Sequence, residues 1–87
     1  MAYRIDFKSS AKRELAALPI GVRRRLDAAI LALADNPRPH GVKKLSGGEG
    51  LYRVRAGDYR VVYAIHDQVL VILVVRIAHR RDVYRGL

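Results

Sequence analysis

LYRVRAGDYRVVYAIHDQVLVILVVRI, residues 51–77, decides the fold. It reads as strand, turn, strand, turn, strand: Leu51 to Arg55, a turn at Ala56-Gly57-Asp58, Tyr59 to Ile65, a turn at His66-Asp67-Gln68, then Val69 to Ile77. This pattern predicts a β-meander. In its middle strand Tyr59, Val61, Tyr63 and Ile65 form one apolar face and Arg60, Val62 and Ala64 the other, because side chains two apart point the same way. Arg53 and Arg55 likewise share a face, and the intervening turn can align them with Arg60. Three guanidiniums are therefore expected together, on the side of the sheet away from any covering helices. The last strand is apolar on both faces, which predicts an interior place in the sheet.

Toward the N-terminus, Tyr3, Ile5 and Phe7 alternate with Arg4, Asp6 and Lys8, the period of a strand with one buried face. That strand is expected beside the last one, shielding it from an edge. Ser9 or Ser10 can cap a short helix in which Ala11, Leu15 and Leu18 share a face, and Pro19 ends it. A second helix is predicted from Ile20 or Val22 to Asp35, with Val22, Leu26, Ile30 and Leu33 on one stripe; Asn36-Pro37-Arg38-Pro39 stops it. Residues Asn36 to Gly50 read as a loop carrying Lys43 and Lys44. The expectation is an α+β fold in one domain over residues 1–87, ordered β-α-α-β-β-β. A helical hairpin should pack on one face of a small, mainly antiparallel four-stranded sheet.

Seventeen Lys and Arg against eight Asp and Glu give a net charge of +9. Most of the cations are Arg, whose flat fork of donors fits phosphate oxygens, so the balance points to a polyanion or an acidic protein. There is no cysteine, which excludes disulfides and thiolate metal ligands. The longest apolar run, Val69 to Val75, is far short of the roughly 20 residues that span a bilayer. No signal peptide is recognisable at the N-terminus, and a cytoplasmic protein without membrane attachment is expected.

Two readings of the Arg53, Arg55 and Arg60 cluster stand side by side. They are solvated cations on an open sheet face, or a site for an anion that offsets their mutual repulsion. The ending His79-Arg80-Arg81-Asp82-Val83-Tyr84 delivers an imidazole, two guanidiniums and a phenol at a strand end, and Tyr84 reads either as an anchor for the C-terminus or as a functional group. His40 and His66 fall in a loop and a turn and read as surface residues. The carboxylates are scattered singly along the chain, so neither a metal site nor a cofactor is expected.

Three stretches carry a family resemblance: the opening strand with Lys12 to Leu18, the segment Leu51 to Tyr63, and the ending Ile77 to Tyr84. Over essentially its whole length the chain resembles RelE/ParE-type toxins of bacterial toxin–antitoxin pairs, and more closely the RelE branch. That resemblance implies an endoribonuclease that cuts mRNA in the ribosomal A site. It implies an acidic, RelB-like antitoxin as partner, and operator DNA contacted only through the toxin–antitoxin complex. By motif the cleavage residues fall on Arg60, Arg80 and Tyr84. Arg53 and Arg55 stand where the branch usually has Lys, and Lys43, Lys44, His79 and Arg81 are expected to contact RNA. The chain departs from the pattern at Ser46, where the family often has a cation, and the extra C-terminal helix that some members carry after this tyrosine is not expected here. RNA brings its own nucleophile, the 2′-hydroxyl, so attack giving a 2′,3′-cyclic phosphate needs no metal. The rival readings are a ParE-like gyrase poison and a non-catalytic basic module that binds RNA or protein.

Overall fold

A two-residue turn, Gly57 and Asp58, closes the first hairpin of the meander, with Gly57 at a φ of 62° and Ala56 paired to Tyr59. The computed structural model describes residues 2–45 and 50–83. Its elements are β1 (Arg4–Phe7), α1 (Ser9–Ala16), α2 (Ile20–Asp35), β2 (Lys43–Lys44), β3 (Leu51–Ala56), β4 (Tyr59–His66) and β5 (Val71–His79). The strands form one sheet in the order β1-β5-β4-β3-β2. β1 runs parallel to β5, and every other pair is antiparallel.

The α+β class and the interior position of the last strand hold, but the sheet has five strands where four were expected. The extra one is β2, inside the stretch read as a loop. It is two exposed lysines long and presents no apolar alternation to the reader; its pairing to β3 makes it a strand. The last strand starts at Val71, two residues later than its apolar run, because Leu70 takes a left-handed φ of 55° that no strand continues through. Val69 and Leu70 close the turn instead, their amides donating to the carbonyls of His66 and Asp67. α1 is capped by Lys8 with no side-chain hydrogen bond, so Ser9 and Ser10 sit within its first turn and the expected serine cap does not form.

Both helices lie on one face. Ala11 from α1 and Leu26, Ile30 and Leu33 from α2 are buried against Val61 and Tyr63 of β4 and Ile72, Val74 and Ile77 of β5. The helical period of the α2 residues and the two-residue period of the strands fit these partners together. β5 keeps apolar side chains on this face despite an interruption: Val62 pairs with Arg76 but Tyr63 pairs with Val74, leaving Val75 as an extra residue. That bulge reverses the alternation, so Ile72, Val74 and Ile77 all point inward and Arg76 points out. Where β1 has ended, the Ile77 amide donates to Glu14 Oε1 of α1 at 2.8 Å. Among the described residues no helix is long and apolar enough to cross a membrane.

Candidate functional site

The register puts the basic side chains of three strands on the face opposite the helices. Directly paired residues share a face, and Arg55 pairs with Arg60 while Arg53 sits between Lys43 and Val62. Val54, Val61 and Tyr63, alternating with these, pack toward the helices. Lys43, Arg53, Arg55 and Arg60 therefore stand together, and with His40, Gly41, Val54 and Gly57 they line a hollow of about 590 Å³. Such a space is wide enough for a nucleotide-sized group, and a sheet face offering guanidiniums from neighbouring strands suits phosphate oxygens.

Local bonds fix this wall. Arg60 Nη1 donates to the carbonyls of Gly57 at 3.1 Å and Tyr59 at 3.0 Å, which folds its guanidinium back over the β3–β4 turn. The Arg80 amide donates to the Asp58 carbonyl of the same turn at 2.7 Å, bringing the end of β5 alongside. The Arg60 guanidinium and the Arg80 backbone thus both bond to one hairpin turn. Arg25 of α2 reaches this turn from the other side, its Nη1 lying 3.4 Å from where a Cβ on Gly57 would stand.

The loop that carries His40 and Gly41 to the hollow is held from behind by a polar knot. Tyr63 Oη donates to the Pro37 carbonyl at 2.7 Å, and the Arg38 guanidinium donates to both carboxylate oxygens of Asp67 while lying 5.4 Å over the Tyr52 ring. Tyr3 Oη also donates to Asp67 Oδ1, at 2.7 Å. The Arg38 hydrogen bonds, followed by that of Tyr3, hold the Asp67 carboxyl below the usual range. The bond to Asp67 raises the Tyr3 phenol, and burial pushes Tyr63 up to about 12.

Not every residue proposed for the site lies on this face. Lys44 pairs with Tyr52, whose ring stacks on Tyr63 in the core, so Lys44 belongs to the helix side of an edge strand. His79 pairs with Tyr59 and meets its ring edge-on at 5.6 Å between centroids, again on the helix side; its Nδ1 accepts the Arg81 amide. Arg80 and Arg81 are exposed on the turn beyond β5. Tyr84 and Ser46 lie outside the described residues. Sequence reasoning passed over His40, which lines the hollow, and Arg76, which the bulge turns outward. The break in the apolar period between Val74 and Ile77 was the signal for Arg76; nothing local in the sequence marks His40 out. Among the described residues, no three His, Asp or Glu side chains gather as a metal site would require.

This fold and its basic face define a small toxin of the type II toxin–antitoxin class, as comparison with known proteins bears out. The chain belongs to the family described as ParE toxin of type II toxin-antitoxin system, parDE, whose model matches residues 5–84. Its named relatives place it on the RelE side. It is 36% identical over 90 residues to "Toxin RelG" of Mycobacterium tuberculosis, covering 98% of this chain and 99% of that one. It is 32% identical over 82 residues to "mRNA interferase toxin RelE" of Escherichia coli, covering 92% of this chain and 85% of that one. The archaeal RelE–RelB complex from Pyrococcus horikoshii contains a chain that superposes with a TM-score of 0.80 at 33% identity, over 92% of this chain and 97% of that one.

Proposed function

We propose that this protein is an endoribonuclease that cuts mRNA on the ribosome and is silenced by a cognate antitoxin covering its basic face. The observation that carries the reading is the hollow itself: Lys43, Arg53, Arg55 and Arg60 converge from three neighbouring strands on one space. Like charges on adjacent strands repel, so such a cluster is best understood as a seat for an anion. The similarity to a protein named mRNA interferase makes RNA the natural anion, and similarity to RelE solved with RelB makes an antitoxin the natural cover.

Cleavage of RNA by its own 2′-hydroxyl requires four things: alignment of that hydroxyl with the phosphorus, removal of its proton, stabilisation of the pentavalent phosphate, and protonation of the leaving 5′-oxygen as charge builds on it. Arg60, held back against its turn, braces a non-bridging phosphate oxygen. Arg53, Arg55 and Lys43 complete the cradle and hold the flanking phosphates. Arg80, on the neighbouring turn, offsets the charge developing at the 5′-oxygen; a guanidinium is too weak an acid for electrostatics not to be its main contribution. Tyr84 takes the 2′-proton in this scheme, a role that rests on the resemblance and that requires its phenolate form. The 2′-oxygen bonds to phosphorus as the bond to the 5′-oxygen breaks, and the departing 5′-oxygen takes a proton from water, giving a 2′,3′-cyclic phosphate and a 5′-hydroxyl.

No residue of the hollow selects a sequence by itself, and a small open face cannot immobilise a flexible single strand. The ribosome is therefore assigned the task of orienting the message. Incubating the purified protein with translating ribosomes and with naked mRNA, and mapping the 5′ ends, tests this directly. Cuts confined to ribosome-bound message support the proposal; equal cutting of both removes the ribosome from it. The family model's ParE name keeps one rival in view, a poison of DNA gyrase. An Arg60→Ala protein that stayed fully toxic and caused DNA damage would select that rival.

A further inference from the structure

Arg76 faces outward only because Val75 is bulged: an unbroken alternation from Ile72 and Val74 would have driven it into the core. On the open face it pairs with Val62, beyond Arg53 in the same row, yet it is not one of the residues lining the hollow. Its Nη2 instead donates to the Asp82 carbonyl at 3.1 Å, across the turn that follows β5. Within that turn the Asp82 amide donates to the His79 carbonyl at 2.8 Å.

Among the described residues, Val62 on the open face and Val83 at the end of this turn are almost wholly buried without belonging to the main core. The bond from Arg76, on the same face as Val62, to Asp82, next to Val83, brings this turn to the open face. We propose that Arg76 is a positioning residue that clamps the turn 80–83 onto the open face, so that Arg80 stands beside the β3–β4 turn at the border of the hollow. The clamp rests on the RNA-cleaving reading above. Its residue type is costly for packing: Arg76 Nε is buried with no hydrogen-bond partner, a loss that an aliphatic side chain at the same place would avoid. What an aliphatic side chain cannot supply is the donor to Asp82. The bulge, the buried orphan nitrogen and the bond to the Asp82 carbonyl all favour a residue kept for the turn and not for the core.

The test uses the full chain with Arg76→Met, similar in stem and without a donor, and Arg76→Lys, which restores one. Arg76→Met should lower kcat on ribosome-bound mRNA about tenfold or more while KM changes less than about twofold, the split expected when a group acts only through the geometry of others. The Asp82 amide should exchange with solvent faster, the Val61 and Ile77 amides should keep their protection, and Tm should not fall. Arg76→Lys should recover turnover and Asp82 protection together. A raised KM with a salt slope shallower by about one would make Arg76 a phosphate contact instead and overturn the clamp. So would full turnover with Asp82 exchange unchanged. Should the wild-type protein cut no mRNA at all, the proposed function fails while the exchange measurement still decides the clamp, which stands if Asp82 loses protection in Arg76→Met and falls if it does not.

Discussion

Arg60 carries the heaviest demand on the open face, because it is the guanidinium held in place by its own turn while still bordering the hollow. Removing a preorganised charge from a phosphate in the transition state costs about 10²- to 10³-fold in turnover. Arg60→Ala should show that loss in a ribosome cleavage assay, with Arg60→Lys recovering only part of it, since a compact ammonium lacks the flat fork that spans the turn carbonyls and a phosphate together. Gly57 supports the same turn through its backbone. At a φ of 62°, Gly57→Ala should cost about 1 kcal/mol in urea unfolding, and the added methyl meets Arg25 Nη1 as well. Tyr63 sets an alkaline limit. Its phenol is held protonated by burial, up to about 12, so its share of stability is whole below pH 10 and is lost as pH rises toward 12. Tyr63→Phe should flatten that alkaline fall in a pH series of unfolding midpoints. At this scale the sequence was most legible where a period of two could be followed without interruption: Arg53, Arg55 and Arg60 share a face as their spacing says. Lys44 and His79 were misplaced because neighbours in sequence point to opposite faces of a strand, and a cluster of cations in the chain is not a cluster in space.

Among elements, the joint between α1 and β5 matters most. β1 is only four residues long and leaves the upper half of β5 unpaired on that side; the Glu14 carboxylate takes over by accepting the Ile77 amide. Glu14→Ala would leave a buried backbone donor without a partner and should lower stability by about 1–3 kcal/mol, with Glu14→Gln losing less because an acceptor remains. Chemical unfolding of the two variants measures the difference. The loop before β2 depends on the Arg38–Asp67 bond. Because the Asp67 carboxyl is held low in the fold, its contribution is present above the ordinary Asp range and is lost as pH falls through its lowered value. Asp67→Asn should therefore weaken the acid dependence of unfolding. The helices, the meander and the place of the last strand were readable from apolar periodicity, which reports burial on one face. β2 was not, since its two lysines are exposed and only pairing with β3 defines it. The bulge at Val75, which decides which way Arg76 points, left its trace only in the broken apolar period between Val74 and Ile77.

Over the whole molecule, a net charge of +9 is distributed so that one sheet face is basic and the other is covered by helices. Charge of that magnitude steers any polyanion toward the surface, and binding to ribosomes should weaken steeply as salt rises. Steering alone does not distinguish the faces; chemistry does. The most direct measurement is therefore a comparison of mRNA cleavage on translating ribosomes by Arg60→Ala, on the open face, and Lys44→Ala, on the opposite face of the same sheet. Both lose one positive charge. The open-face variant should lose at least about 100-fold in cleavage rate while the other stays within about threefold of the wild-type protein. Equal losses, or a larger loss for Lys44→Ala, would contradict the assignment of the hollow as the place where RNA is cut.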